Sequence, residues 1–171
     1  GLLITLCVMT GCSDKIEEPG NYDFVLEDLV YEEDPEVQEY VNAIPFSNEE
    51  FRLAYCDYIS THVLRQNFLV YDYWEIEMLE LSHVSDLTDL RLFPNLKKLI
   101  IRNSQNVALE QLNNTNIEIV ETYHSAVDAS DMDCDIEILV MHNSDLSNEE
   151  SLANLTKLED LEINFSNVKD I

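Results

Sequence analysis

Ile76-Glu77-Met78-Leu79-Glu80-Leu81-Ser82-His83-Val84 sets a pattern that returns four more times along the chain. The stretch Leu96-Lys97-Lys98-Leu99-Ile100-Ile101-Arg102-Asn103-Ser104 repeats it, and so do those beginning at Ile117, Ile136 and Leu158, at intervals of 20, 21, 19 and 22 residues. Three residues after each start stand Leu79, Leu99, Val120, Leu139 and Leu161, and two further on Leu81, Ile101, Thr122, Met141 and Ile163. Thr122 alone breaks the apolar run in these columns. The alternation is that of a short strand turning one row of side chains inward. A unit of about twenty residues has too little apolar surface to fold alone, so such units must stack on their neighbours.

The residues around these columns complete the unit. Leu87 and Leu90, Leu109 and Leu112, and Leu152 and Leu155 follow the strand segments and are expected to close the opposite side of the core. Three residues beyond the second inward position come Val84, Ser104, Ser125, Ser144 and Ser166, where an inward hydroxyl can bond turn backbone. The three glycines of the chain are Gly1, Gly11 and Gly20. Turns must therefore be made by Asn, Asp and Ser, as at Asn103-Ser104, Asn113-Asn114, Asn143-Ser144 and Ser166-Asn167. A phosphate-binding loop, a dinucleotide-binding turn, a nucleophile elbow and an EF-hand loop each need Gly, so none has its usual form here.

Upstream, two helices can be read. Asp34 caps and Pro35 occupies the first position of one, with Val37, Tyr40, Val41 and Ile44 on a single stripe. Ser47 and Glu50 have capping-box spacing for a second, whose apolar face comprises Phe51, Leu53, Ala54, Tyr55, Tyr58 and Ile59.

The repeat spacing resembles the L-x-x-L-x-L-x-x-N pattern of leucine-rich repeats. Residues 44–171 resemble the bacterial leucine-rich-repeat lipoproteins, whose short-repeat members are similar to the internalins. The resemblance rests on Ile44-Pro45-Phe46-Ser47-Asn48-Glu49-Glu50-Phe51-Arg52, on Leu87-Thr88-Asp89-Leu90 and on Phe93-Pro94-Asn95-Leu96-Lys97-Lys98-Leu99. It implies an α/β solenoid, a right-handed horseshoe of about five repeats over 76–171 with short parallel strands on its concave face, behind an N-terminal helical cap region over 22–75. It also implies recognition of a protein, or a glycan, by the concave face, and no shared catalytic activity. The calcium-type loop of related caps is not carried over, because Ser60-Thr61-His62-Val63-Leu64 stands there.

The first residues read as an address. Leu2 to Met9 is apolar but shorter than the ~20 residues of a membrane span, and Met9-Thr10-Gly11-Cys12 resembles a lipobox. This implies a signal peptide over 1–11, cleavage before Cys12 and lipid on that residue, with several acyl chains giving stable attachment. Ser13-Asp14-Lys15-Ile16-Glu17-Glu18 resembles the surface-export signal of Bacteroidetes-type lipoproteins. Residues 12–21 are then a lipidated acidic tether, and the expected location is the outer membrane, exposed at the cell surface. The chain lacks an initiator Met and stops within its last unit, so it is expected to continue at both ends.

The 35 Asp and Glu against 9 Lys and Arg give a net charge of −26, which opposes nucleic acid as a partner. No C-x-x-C, H-E-x-x-H or Gly-flanked Ser is present, so neither an enzyme nor a cofactor is expected. The outward positions of the strands form the candidate ligand-binding face: Ile100, Ile119, Ile138 and Val140 as unexpectedly exposed apolar residues, with Glu121, Tyr123, His124, His142 and Phe165 around them. Filling by residues of high β-propensity accounts for the same apolar residues. His124 and His142 alone among the histidines could share an ion, and no third ligand is fixed by spacing, so no metal is assigned. Asp131-x-Asp133-x-Asp135 opens like an EF-hand loop but has Ile136 where Gly belongs. Cys56 and Cys134 lie in different parts of the architecture and are expected to stay as thiols. The alternative function is a structural spacer, or an accessory domain of a longer protein whose catalytic part lies beyond residue 171.

Overall fold

The computed structural model describes residues 35–63 and 72–164. The expectations placed on residues 1–21, Cys12 among them, and on Asp34, Phe165 and Ser166 lie outside the described residues. Pro35 opens helix α1 (Pro35–Ala43), where a missing backbone N–H costs nothing. Val37, Val41 and Ile44, one stripe of the helical period, are buried.

Helix α2 (Glu49–Tyr58) starts differently from the expected capping box. Asn48 is the cap, its side-chain oxygen accepting from the Phe51 N–H at 2.9 Å. Ser47 is drawn away, because its N–H and hydroxyl both donate to the carboxylate of Asp89. Glu50 instead accepts from the Ser85 hydroxyl. Asp89 is fully buried and also takes the Asn48 N–H, so one carboxylate ties the start of α2 to the first repeat. Phe51, Ala54, Tyr55, Cys56 and Tyr58 are buried, whereas Leu53 is only half-buried. A π-helical turn follows at Ile59–Val63.

Aromatic rings fill the joint between helices and sheet. Phe93 lies 5.3 Å from Tyr55, 6.1 Å from Phe51 and 6.0 Å from Tyr73, ring centre to ring centre. The Tyr58 hydroxyl donates to the Met78 carbonyl at 2.9 Å.

Each inward doublet of the repeat becomes a strand. Strands β1 (Met78–Ser82), β2 (Lys98–Arg102), β4 (Ile119–Tyr123), β6 (Ile138–His142) and β8 (Asp160–Asn164) form a five-stranded sheet in that order, every neighbouring pair parallel. The register aligns equal repeat positions: Leu79, Leu99, Val120, Leu139 and Leu161 face one another across the sheet. A second parallel sheet, which no column of the sequence announced, consists of β3 (Val107–Ala108), β5 (Ala126–Asp128) and β7 (Asp145–Ser147). Short 3-10 turns at Thr88–Leu92, Leu109–Leu112 and Glu149–Asn154 bring in Leu90, Leu109 and Leu112, all buried, and Leu152, half-buried. Between β5 and β6 the core is filled instead by Ala129 and Met132.

The serine column forms a ladder. Ser104, Ser125 and Ser144 are buried, and each hydroxyl donates to the carbonyl two residues earlier, of Arg102, Tyr123 and His142. Each also accepts an N–H from the preceding unit: Val84 to Ser104 at 3.1 Å, Ser104 to Ser125 at 3.2 Å, and Ser125 to Ser144 at 3.3 Å. The residue before Val84 and before each serine turns the chain with positive φ: His83 (58°), Asn103 (49°), His124 (50°) and Asn143 (47°). Asn and His tolerate this left-handed region better than most residues, which lets the turns form without Gly.

Candidate functional site

On the five-stranded sheet, residues one position away from the buried columns point outward. Across β2, β4 and β6 the last outward row reads Arg102, Tyr123, His142 in direct register. At a strand spacing near 4.8 Å, planar groups so placed can stack. The Arg102 guanidinium lies 4.0 Å from the Tyr123 ring centre, and the Tyr123 and His142 rings are 4.9 Å apart at an interplanar angle of 23°. The result is a cation, phenol and imidazole in one column.

Carboxylates fix this column from the middle outward row. Glu80 on β1 accepts from Arg102 at 2.7 Å, and Glu121 on β4 accepts from the Tyr123 hydroxyl at 3.1 Å and pairs with Lys98 at 2.6 Å. Partial burial pushes the Glu121 carboxyl up, but hydrogen bonds from Lys98 and Tyr123, with the charges of Lys98 and His142, outweigh it and hold it below the ordinary range. The Tyr123 hydroxyl is pushed up by its desolvation and by Glu121. Lys97 reaches Glu118, so each of the three cations on β2 and its approach is matched by a carboxylate on a neighbouring strand or its approach.

The expected apolar patch divides. Ile100 is not exposed: only 7% of its surface is accessible. Lys98 and Arg102, its neighbours on the same face of β2, pair with Glu121 and Glu80. Ile119, Ile138 and Val140 are half-buried and remain on the outward face. His124 is exposed at the left-handed turn beyond β4, where its N–H donates to the His142 carbonyl, and it stands apart from the stacked row. Arg102, Lys98 and Glu80 join the face without having been singled out from the sequence. Their signal was opposite charge one unit apart on a diagonal, legible only once the register is known.

Beyond β4 the face changes character. Glu137, Glu159, Asp160 and Glu162 are exposed, with Asp160 in register with Ile138, and Glu162 with Val140. Elsewhere, the Asn113 side chain accepts from the Asp133 N–H and donates to the Asp131 carbonyl, while Asp135 pairs with Lys157. Among the described residues no group of three or more His, Cys, Asp or Glu is arranged to hold a metal ion. Cys56 and Cys134 are thiols, the first buried and the second half-buried. Among the described residues no helix is long and apolar enough to cross a membrane. No protein-family model matches the sequence, and no curated protein does either.

Proposed function

We propose that the chain is a lipid-anchored, surface-exposed binding protein of the leucine-rich-repeat type that recognises a protein, or a glycan, through the outward face of its five-stranded sheet. In this reading the larger sheet is the concave wall of a right-handed solenoid, the smaller sheet and 3-10 turns are its convex wall, and α1 and α2 cap its first unit. The reading holds Cys12 to be the lipidated residue and the outer membrane the location.

One observation carries the binding role. The row Arg102, Tyr123 and His142 is stacked and pinned by Glu80 and Glu121 before any ligand arrives. Side chains already held in place lose little rotamer freedom on binding, which favours affinity. A stacked column of two rings and a guanidinium presents amphipathic edges that suit a protein surface or a glycan.

The test uses the full chain with Tyr123→Ala and His142→Ala combined, and separately with Cys12→Ser. Thermal unfolding reports on the fold, while a glycan array and a panel of extracellular proteins report on capture. Preserved folding with lost capture is the expected result for the first variant, and release from the membrane fraction for the second. Unchanged capture by the first variant overturns the proposed face. Retention of Cys12→Ser in the membrane overturns the anchor.

A further inference from the structure

The outward face is electrically lopsided in a way that specifies its partner. The cations that contribute to it, Lys97, Lys98 and Arg102, all belong to the β2 unit and are taken up by Glu118, Glu121 and Glu80. From β6 to β8 the outward positions within the described residues hold no Lys or Arg, only Glu137, Ile138, Val140, His142, Glu159, Asp160, Glu162 and Asn164. The nearby Lys157 pairs with Asp135.

Apolar and acidic groups are also interleaved there. Ile119 and Ile138 are in register, and Asp160 continues their row; Val140 stands between Glu121 and Glu162 in the next. Adjacent strands are about 4.8 Å apart. A segment lying over Ile119, Ile138 and Val140 therefore brings its flanking side chains within ion-pair reach of Asp160 and Glu162. A polyanion or an acidic protein would meet these carboxylates without compensating cations, at a like-charge cost.

We infer that the β4 to β8 half of this face docks a basic, amphipathic segment of another protein, its apolar residues on Ile119, Ile138 and Val140 and its Lys or Arg side chains on Glu137, Asp160 and Glu162. The inference rests on the binding role proposed above and names the partner's chemistry. Complementary charge of this kind steers the encounter and sets specificity, so binding weakens as salt rises.

The experiment titrates the full chain with short synthetic peptides of alternating Lys and Leu, and of alternating Glu and Leu. It compares the natural chain with Asp160→Asn/Glu162→Gln, with Ile138→Ser/Val140→Ser, and with Glu110→Gln/Glu150→Gln, which removes the same charge from exposed 3-10 turns. Circular dichroism checks that each variant is folded. The Lys/Leu peptide should bind and the Glu/Leu peptide should not. Removing Asp160 and Glu162 should weaken binding about tenfold, and removing Glu110 and Glu150 should leave it unchanged. Equal losses in the two charge variants would mean attraction to bulk charge and would overturn the inference. Binding of the Glu/Leu peptide that Ile138→Ser/Val140→Ser abolishes would overturn the basic partner while leaving the face a binding surface. If binding of neither peptide responds to Ile138→Ser/Val140→Ser, both fall. Sedimentation of the chain alone covers a further occupant: a dimer that Ile138→Ser/Val140→Ser dissociates would assign the surface to a second copy and overturn the inference.

Discussion

Replacing Ser125 by alanine should destabilise the protein by about 2 kcal/mol, within the range for orphaning a buried donor. The hydroxyl of Ser125, itself buried, accepts the Ser104 N–H at 3.2 Å and donates to the Tyr123 carbonyl at 2.9 Å. These two partners do not fare alike once it is gone. The Tyr123 carbonyl still accepts from the Asn103 N–H at 2.9 Å. The Ser104 N–H is left buried without its acceptor, and that single group sets the cost.

Thr122, three residues earlier and on β4, supplies a control of opposite sign. It is fully buried in a column of apolar residues, and its hydroxyl finds no hydrogen-bond partner among the described residues. Thr122→Val removes the uncompensated group at nearly constant shape, and should stabilise by about 1 kcal/mol. Urea unfolding followed by circular dichroism measures both variants, with an unchanged denaturant slope showing that the unfolded state is not altered. If Ser125→Ala costs nothing, or if both substitutions shift stability the same way, the ladder does not hold neighbouring units together as described.

Asp89→Ala should cost about 3 kcal/mol, because it strips a buried acceptor from the Ser47 N–H, the Ser47 hydroxyl and the Asn48 N–H. Hydrogen exchange should then show α2 opening before the sheet. Acid should also weaken the fold. Asp86 is held below the ordinary carboxylate range by donors from Thr88, Asn48 and Gln111, and Asp128 by donors from Ser130 and Asn148. With folded values depressed, their stabilisation is complete above the unfolded value of about 3.9 and is lost as pH falls through the folded values. A pH series of unfolding midpoints checks this, and Asp86→Asn should flatten the acid limb.

Much of the architecture could be read from column spacing because strand and repeat periods are short-range properties. The five doublets beginning with Leu79, Leu99, Val120, Leu139 and Leu161 lie on the five strands of the larger sheet. Strands of two or three residues, such as Val107–Ala108, are too short to show an alternation, so the smaller sheet left no such mark. Ser47 is drawn from its expected capping role, which Asn48 fills, by Asp89, a partner 42 residues away that local spacing cannot disclose. The burial of Ile100 at an outward position likewise arises from packing between units, which local spacing cannot disclose. On the face itself, Tyr123, His142, Ile138 and Val140 could be placed from the sequence, because outward positions follow from strand parity. Arg102 and Glu80 follow from the same parity, but their pairing does not, since it arises from register and side-chain direction between units.

The most direct measurement places a photocrosslinking phenylalanine derivative at Val140 on the outward face, or at Glu110 on a 3-10 turn, in the full chain on intact cells. Irradiation should yield covalent adducts with an extracellular protein or glycoconjugate from position 140 and none from position 110. Adducts from position 110 alone, or equally from both, would contradict recognition through the face of the five-stranded sheet.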